Sequence, residues 1–258
     1  MLNDFTYARY KMLCRELVQA GYASIPFSNH PLADPVAQQR ILLLRHDVDY
    51  SLRKAEKIAR IEKGFGIRST FFIRLRKGMK AERIRQLAAL GHEIGYHYDC
   101  CPAAGGQEGS FMKFRDDLGS LREHAEVRLA SPHSHSVRLF HASGEFRALF
   151  AENGILMDVM HEIDYSAYHY YTDAGRSWSP RRRKICDRAP DFPAGYISVR
   201  SAGELALAIR DHKPRLLYIS SHPELWAGNL ASDIGLSLRY GGPRFLVKKI
   251  ALLFRHRR

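Results

Sequence analysis

The sequence predicts an α/β fold, on three observations: short apolar runs alternate with amphipathic stretches, no repeat or low-complexity segment interrupts them, and polar, metal-capable residues follow four of the runs. With 258 residues, 45% of them hydrophobic, the chain can bury one substantial core, so a single domain is expected.

Taken in order, Ile41–Leu44 reads as a buried strand, too short for a helix and followed at once by polar residues. From Ser51 a helix is expected, with Leu52, Ala55, Ile58, Ala59 and Phe65 on one side and Gly64 and Gly66 as stop signals. Ser69–Ile73 is the next strand. Lys80–Leu90 forms a second helix through Ile84, Leu87 and Ala88, with Gly91 where a left-handed cap costs least. Glu93–His97 is a short strand. Phe111, Phe114, Leu118, Leu121 and Ala125 recur at helical spacing, and Val127–Ala130 follows as a strand. A further helix ends at Asn153-Gly154. Ser201-Ala202-Gly203-Glu204 matches a capping box, and Leu216–Ile219 is the last strand.

Composition narrows the function classes. The formal charge of +13 favours anionic partners, among them nucleic acid, anionic lipid and phosphate-bearing substrates. No nucleic-acid module or regular basic-aromatic motif is present, so specific nucleic-acid binding is not expected. Cys14, Cys100, Cys101 and Cys186 are too few and too scattered for a disulfide scaffold and read as reduced thiols. No apolar run reaches the roughly 18 residues of a membrane span. Residues 1–10 lack the pattern of a secretory signal, so the expected compartment is the cytoplasm. Basic residues concentrate in Arg181–Lys184 and in a tail. The expected organisation is therefore a domain over 1–240 and a basic amphipathic tail over 241–258. That tail either lies on an anionic membrane surface, making the protein peripheral at the inner membrane, or packs its apolar side on the domain.

The polar clusters are His46-Asp47-Val48-Asp49, His97-Tyr98-Asp99, His133-Ser134-His135 and His222-Pro223-Glu224. In an α/β barrel, loops after the strands converge on one face, so these groups can form one site. Each also has a structural reading: Asp47 and Asp49 as caps of the helix at Ser51, His97 as a core histidine. Two carboxylates as close as Asp47 and Asp49 repel unless a cation or separate hydrogen bonds accommodate them, which points to a metal.

Arg45–Asp49, Gly91–Asp99 and Ser221–Trp226 together resemble the motif series of polysaccharide deacetylases (carbohydrate esterase family 4, NodB homology). The series is most similar to a divergent His-Asp-Val-Asp branch associated with lipopolysaccharide and O-antigen gene clusters. That branch also carries Thr-Asp-x-Gly-Arg-x-Trp, here Thr172–Trp178. The resemblance implies a distorted (β/α) barrel of about six to eight strands. It implies Asp47 as catalytic base, Asp49 and His97 as metal ligands and His222 as the late catalytic histidine. The usual second ligand histidine is replaced by Cys101. A later His-Gly element of the branch resembles His133-Ser134, which makes His133 the preferred third ligand, with His135 and Cys101 as alternatives. The implied cofactor is a divalent metal, Zn2+ foremost.

These residues suit amide hydrolysis, which needs an activated water, a stabilised oxyanion and a proton for the leaving amine. Arg45 or Arg176 is expected to orient Asp47, with a structural ion pair as the alternative, and Trp178 and Trp226 to stack on a sugar or simply to pack. Tyr165, Tyr168, Tyr170 and Tyr171 either line the pocket or are strand residues. The expected substrate is an N-acylated sugar, nucleotide-linked or lipid-linked. The competing readings are a hydrolase of another amide and an inactive glycan-binding or scaffolding protein on the same barrel.

Overall fold

The computed structural model describes residues 4–30, 39–99, 106–133, 145–178 and 195–241. Cys100, Cys101, His135, Arg181–Lys184, Cys186 and the basic tail from 242 lie outside the described residues. The elements run α1 (Tyr7–Gln19), β1 (Tyr22–Ser24), β2 (Arg40–Val48), α2 (Leu52–Gly64), β3 (Thr70–Ile73), α3 (Glu82–Ala89), β4 (Glu93–Asp99), α4 (Gly106–Arg122), β5 (Val127–His133) and α5 (Glu145–Glu152). They continue with β6 (Met157–Asp158), β7 (His169–Thr172), α6 (Ala202–His212), β8 (Leu216–Ser221) and α7 (Leu230–Gly241). All strand pairs are parallel, in the order β6-β5-β4-β3-β2-β8-β7, with β1 beside the start of β2. The sheet curls into a distorted (β/α) barrel flanked by helices, the expected class.

Alternation along the strands builds two apolar cores. Leu42, Leu44, Phe71, Ile73, Ile94, Leu217 and Ile219 point outward against buried residues of the helices, among them Leu13, Ile58, Leu87, Leu118 and Leu205. Leu43, Phe72, Leu129, Tyr170 and Tyr218 point inward and fill the barrel with Phe27, Tyr165 and Tyr168. Each fully buried Leu, Ile or Phe contributes roughly 1.5–3 kcal/mol. Gly95 is required where the interior is tightest: a Cβ there would lie 2.5 Å from the Phe72 ring.

One irregularity aims the site. Ile94 pairs with Val127 but Tyr96 pairs with Ala130, so β5 carries one extra residue. Val127 lies in the outer core and Leu129 in the inner one. The bulge thereby turns Leu129, Ser131 and His133 inward, whereas an unbroken register would leave them facing the helices.

Helix starts follow the sequence chemistry. Ser51 Oγ accepts the Lys54 amide and Ser201 Oγ accepts the Glu204 amide. The Glu204 carboxylate reaches back to the amide of Arg200, one residue before the cap. Gly91 takes φ +93° after α3. The strands carrying chemistry are longer than their apolar runs: β2 continues through His46, Asp47 and Val48, β4 through Asp99, and β5 through His133. The site residues therefore sit on ladder positions as well as in loops, which holds them more rigidly than loops alone. No helix among the described residues is long and apolar enough to cross a membrane.

Candidate active site

At the C-terminal ends of β2, β4 and β5, Asp49, His97 and His133 come together, with one ligand atom from each lying within 4.8 Å of the others. The Asp49 Oδ1 is buried and accepts no hydrogen bond among the described residues. It lies 3.6 Å from His97 Nε2 and 3.2 Å from His133 Nε2. Both rings are oriented from behind: His97 Nδ1 donates to the Ser131 carbonyl at 3.1 Å, and His133 Nδ1 faces Asp99 at 3.4 Å. A ring nitrogen held by a carbonyl or carboxylate turns the other toward the site, the usual support of a metal histidine, although His133 Nε2 is also met by Arg74 Nη1 at 3.1 Å. Burial lowers the His97 pKa despite the opposing pull of Asp47, favouring the neutral imidazole that a metal needs. An orphaned carboxylate oxygen facing two such nitrogens is a donor set that fits a divalent metal with room for further ligands.

Asp47, on the same inward face two residues earlier, is gripped by Arg45 through Nε at 2.6 Å and Nη2 at 2.7 Å. Burial pushes its carboxyl up, but Arg45, with His97 and His222, holds it well below the usual carboxylate range. Arg45 is fully buried, 5.4 Å over the Phe72 ring, and its Nη1 donates to the Tyr218 hydroxyl at 3.4 Å. It therefore fixes Asp47 from below rather than contacting a substrate. His97 Nε2 and His222 Nε2 flank Asp47 Oδ2 at 3.9 and 4.0 Å.

His222 follows β8, and its Nδ1 lies 2.8 Å from Asp173 Oδ1. Asp173 also accepts the His222 amide at 2.9 Å, the Ser221 hydroxyl at 2.7 Å and the Trp226 indole at 2.8 Å. This fixes the imidazole with Nε2 directed at Asp47. Asp173 had no assigned role in the sequence reading, although it belongs to Thr172–Trp178. The signal that finds it is its position just after β7, a strand end like those that carry the other polar clusters.

Glu224 braces the loop after Asp49, because its Oε1 accepts the amides of Tyr50 and Ser51 at 2.8 Å each. Lys54 Nζ ties the far side of that turn to the carbonyls of Glu224 and Trp226. A second residue unmarked by the sequence reading, Arg74, follows β3 directly and holds Asp99 through Nη2 at 2.8 Å, with Nη1 3.1 Å from His133 Nε2.

For Arg176, Trp178 and Trp226 burial favours the ion-pair and packing alternatives. Arg176 is 3% exposed, ion-paired to Asp233 and donating to the Leu225 carbonyl, with a left-handed backbone at φ 56°. It locks the Thr172–Trp178 turn onto α7 and does not touch Asp47. Trp178 and Trp226 are 2% and 0% exposed, packed with Phe5 at 6.1 and 5.4 Å between centroids. Neither ring has a face for a sugar. Among the tyrosines, Tyr165, Tyr168 and Tyr170 fill the inner core and Tyr171 the outer one.

No protein-family profile matches this sequence, and no curated protein matches it. Comparison with solved structures returns proteins similar to this chain in backbone. The polysaccharide deacetylase Bc1974 from Bacillus cereus is 16% identical with a TM-score of 0.45, covering 78% of this chain and 87% of that one. A family 4 carbohydrate esterase from Bacillus anthracis is 17% identical with a TM-score of 0.43, covering 86% and 91%. BA3943, a CE4 family pseudoenzyme from Bacillus anthracis, is 12% identical with a TM-score of 0.44, and this chain spans 60% of its length.

Proposed function

We propose that this chain is a metal-dependent deacetylase that hydrolyses an N-acetyl or other N-acyl group on a nucleotide-linked or lipid-linked sugar precursor, in cytoplasmic assembly of surface polysaccharide or O-antigen. The observation that carries the reading is the orphaned Asp49 oxygen facing His97 and His133, beside an acid-base pair of opposite character, Asp47 and His222. The O-antigen setting rests on the motif series alone.

Asp49, His97 and His133 would hold the metal, which supplies Lewis-acid polarisation of the acyl oxygen and lowers the pKa of water to ~7. Asp47, kept ionised by Arg45, takes the proton of the attacking water. His222, held by Asp173, delivers a proton from Nε2 to the departing amine as the carbon–nitrogen bond breaks. The two groups face each other at 4.0 Å in this structure, and the reacting amide must enter between them from the open end of the barrel.

The test is metal content together with acetate release from N-acetylated nucleotide sugars, for wild type, Asp49→Ala and His97→Ala. Metal bound by wild type and lost in both variants, with acetate release lost in parallel, is the expected result. Failure of wild type to retain zinc, cobalt, nickel or manganese after reconstitution overturns the reading in favour of an inactive binding protein.

A further inference from the structure

We propose that the loop between β3 and α3 is a phosphate-binding site at the mouth of the catalytic centre, which would make the substrate a phosphorylated N-acyl sugar. The inference rests on the deacetylase reading for its catalytic context.

Four of the seven residues from Arg74 to Lys80 are basic (Arg74, Arg76, Lys77 and Lys80), and none of the seven is acidic. The loop leaves the barrel on the face where the chemistry sits, because β3 pairs with the end of β2 that carries Asp47. It is folded rather than merely tethered. The Met79 amide donates to the Arg76 carbonyl at 3.1 Å, and Gly78 takes φ +84°, the third position of a tight turn that only glycine fills cheaply. Arg76 and Lys77 are the first two residues of that turn and both are exposed.

The turn is placed against the site by a ring contact. The Arg76 guanidinium carbon lies 4.4 Å from the ring centroid of Tyr50, a residue that is 55% exposed. Tyr50 follows the candidate ligand Asp49 directly, and its amide is held by Glu224. Stacking thus keeps the guanidinium beside Tyr50, the chain neighbour of Asp49, and leaves its N–H donors available to a ligand. Arg74, Lys77, Arg76 and Lys80 differ in one respect. Arg74 is committed to Asp99, while among the described residues no carboxylate forms an ion pair with Arg76, Lys77 or Lys80. Some surface arginines have such partners, as in Arg60 and Arg83 with Glu56 and Arg200 with Glu204, and others, such as Arg9 and Arg53, have none among the described residues, so it is the clustering of unpaired cations beside Tyr50 that sets this loop apart. A planar guanidinium and a mobile ammonium, both lacking an internal anion, match the oxygens of a phosphate ester.

The experiment is a phosphorus NMR titration of inorganic phosphate against wild type, Arg76→Gln/Lys77→Gln, and the charge-matched control Arg9→Gln/Lys11→Gln on α1. It reads binding directly, so it is unaffected if hydrolysis itself fails. Loss of two charge-assisted contacts should weaken phosphate about tenfold or more in the loop variant and leave the control at wild-type affinity. Uridine monophosphate and decyl phosphate then separate the sources: tighter binding of the first marks a nucleotide-linked sugar, of the second a lipid-linked one. Equal phosphate affinity in all three proteins overturns the proposal, as does failure of either ester to bind more tightly than inorganic phosphate.

Discussion

Strand β2 presents two polar faces built from adjacent residues, and they do opposite work. On the inner face, Arg45 and Asp47 form a buried bidentate pair whose carboxylate still looks toward His97 and His222. On the outer face, His46 lies between the sheet and the helices, 2.6 Å from Glu62 Oε1 and stacked on Phe71 at 4.4 Å. Glu62 also accepts from Tyr10 and, at 2.5 Å, from Ser69, whose amide donates to His92 Nδ1. The outer network is buried, its side chains bonded to one another and to the Ala59 carbonyl, with His46 Nδ1 lacking a partner among the described residues. The inner one reaches partly exposed groups, His222 and Asp49, each with 17% of its side chain accessible. The difference teaches that Arg45-His46-Asp47 mixes chemistry with architecture, and that the period of two along a strand separates them.

Substitutions on the two faces should therefore separate activity from stability. The largest effect is expected for Asp47→Asn, which removes the proposed general base: kcat for acyl hydrolysis should fall roughly 10²–10⁴-fold. A change of less than threefold would show that Asp47 is only a partner for Arg45. Next is Glu62→Gln on the outer face. Breaking a buried, hydrogen-bonded ion network costs about 3–5 kcal/mol, so the denaturant midpoint should drop sharply while kcat per folded molecule stays near wild type. A catalytic defect of Asp47→Asn size would join the two faces functionally. Asp173→Asn comes third, with kcat lowered about 10–100-fold and metal content unchanged, since it loosens the support of His222 and touches no candidate ligand. Its pH profile should lose definition on the limb assigned to the acid, which a purely structural defect would leave in place.

The sequence was most legible where one local rule decides the outcome. The apolar runs Ile41–Leu44 and Leu216–Ile219 each lie in a strand, the run from Ser69 does so over Thr70–Ile73, the helix expected from Ser51 starts there, and Ser201 caps the helix of its capping box. Legibility failed where the deciding partner is distant in the chain. The β5 bulge that turns His133 inward is a property of its pairing with β4. The burial of Trp226 depends on Phe5 and Tyr10 arriving from the other end of the chain, and that of Arg176 on Asp233. A motif shows which residue types stand near one another, while their exposure is set by contacts that local spacing does not encode. Asp173 illustrates both limits: it stood inside a quoted motif, yet its role is visible only through His222, 49 residues later.

The smallest expected effect sharpens the same comparison by pH. His92 accepts the Ser69 amide at Nδ1 and donates from Nε2 to the Ala59 carbonyl, an arrangement that requires the neutral ring. Burial lowers its pKa despite the opposing pull of Glu62. Burial alone would raise Glu62, but His46, His92 and Ser69 hold it below its ordinary value. Both groups bind protons more weakly folded than unfolded, so their stabilisation is complete above the unfolded pKa values and is lost as pH falls. For His92 the loss begins below about 6.5, and Glu62 adds to it below about 4.3. Denaturant midpoints measured between pH 7.5 and about 5 should therefore decline, and His92→Gln, whose amide can both accept and donate but cannot titrate, should make that decline shallower. An unchanged slope in His92→Gln would mean that the acid sensitivity originates on the inner face, among His97 and its carboxylates, and that the outer network is insensitive to protonation over that range.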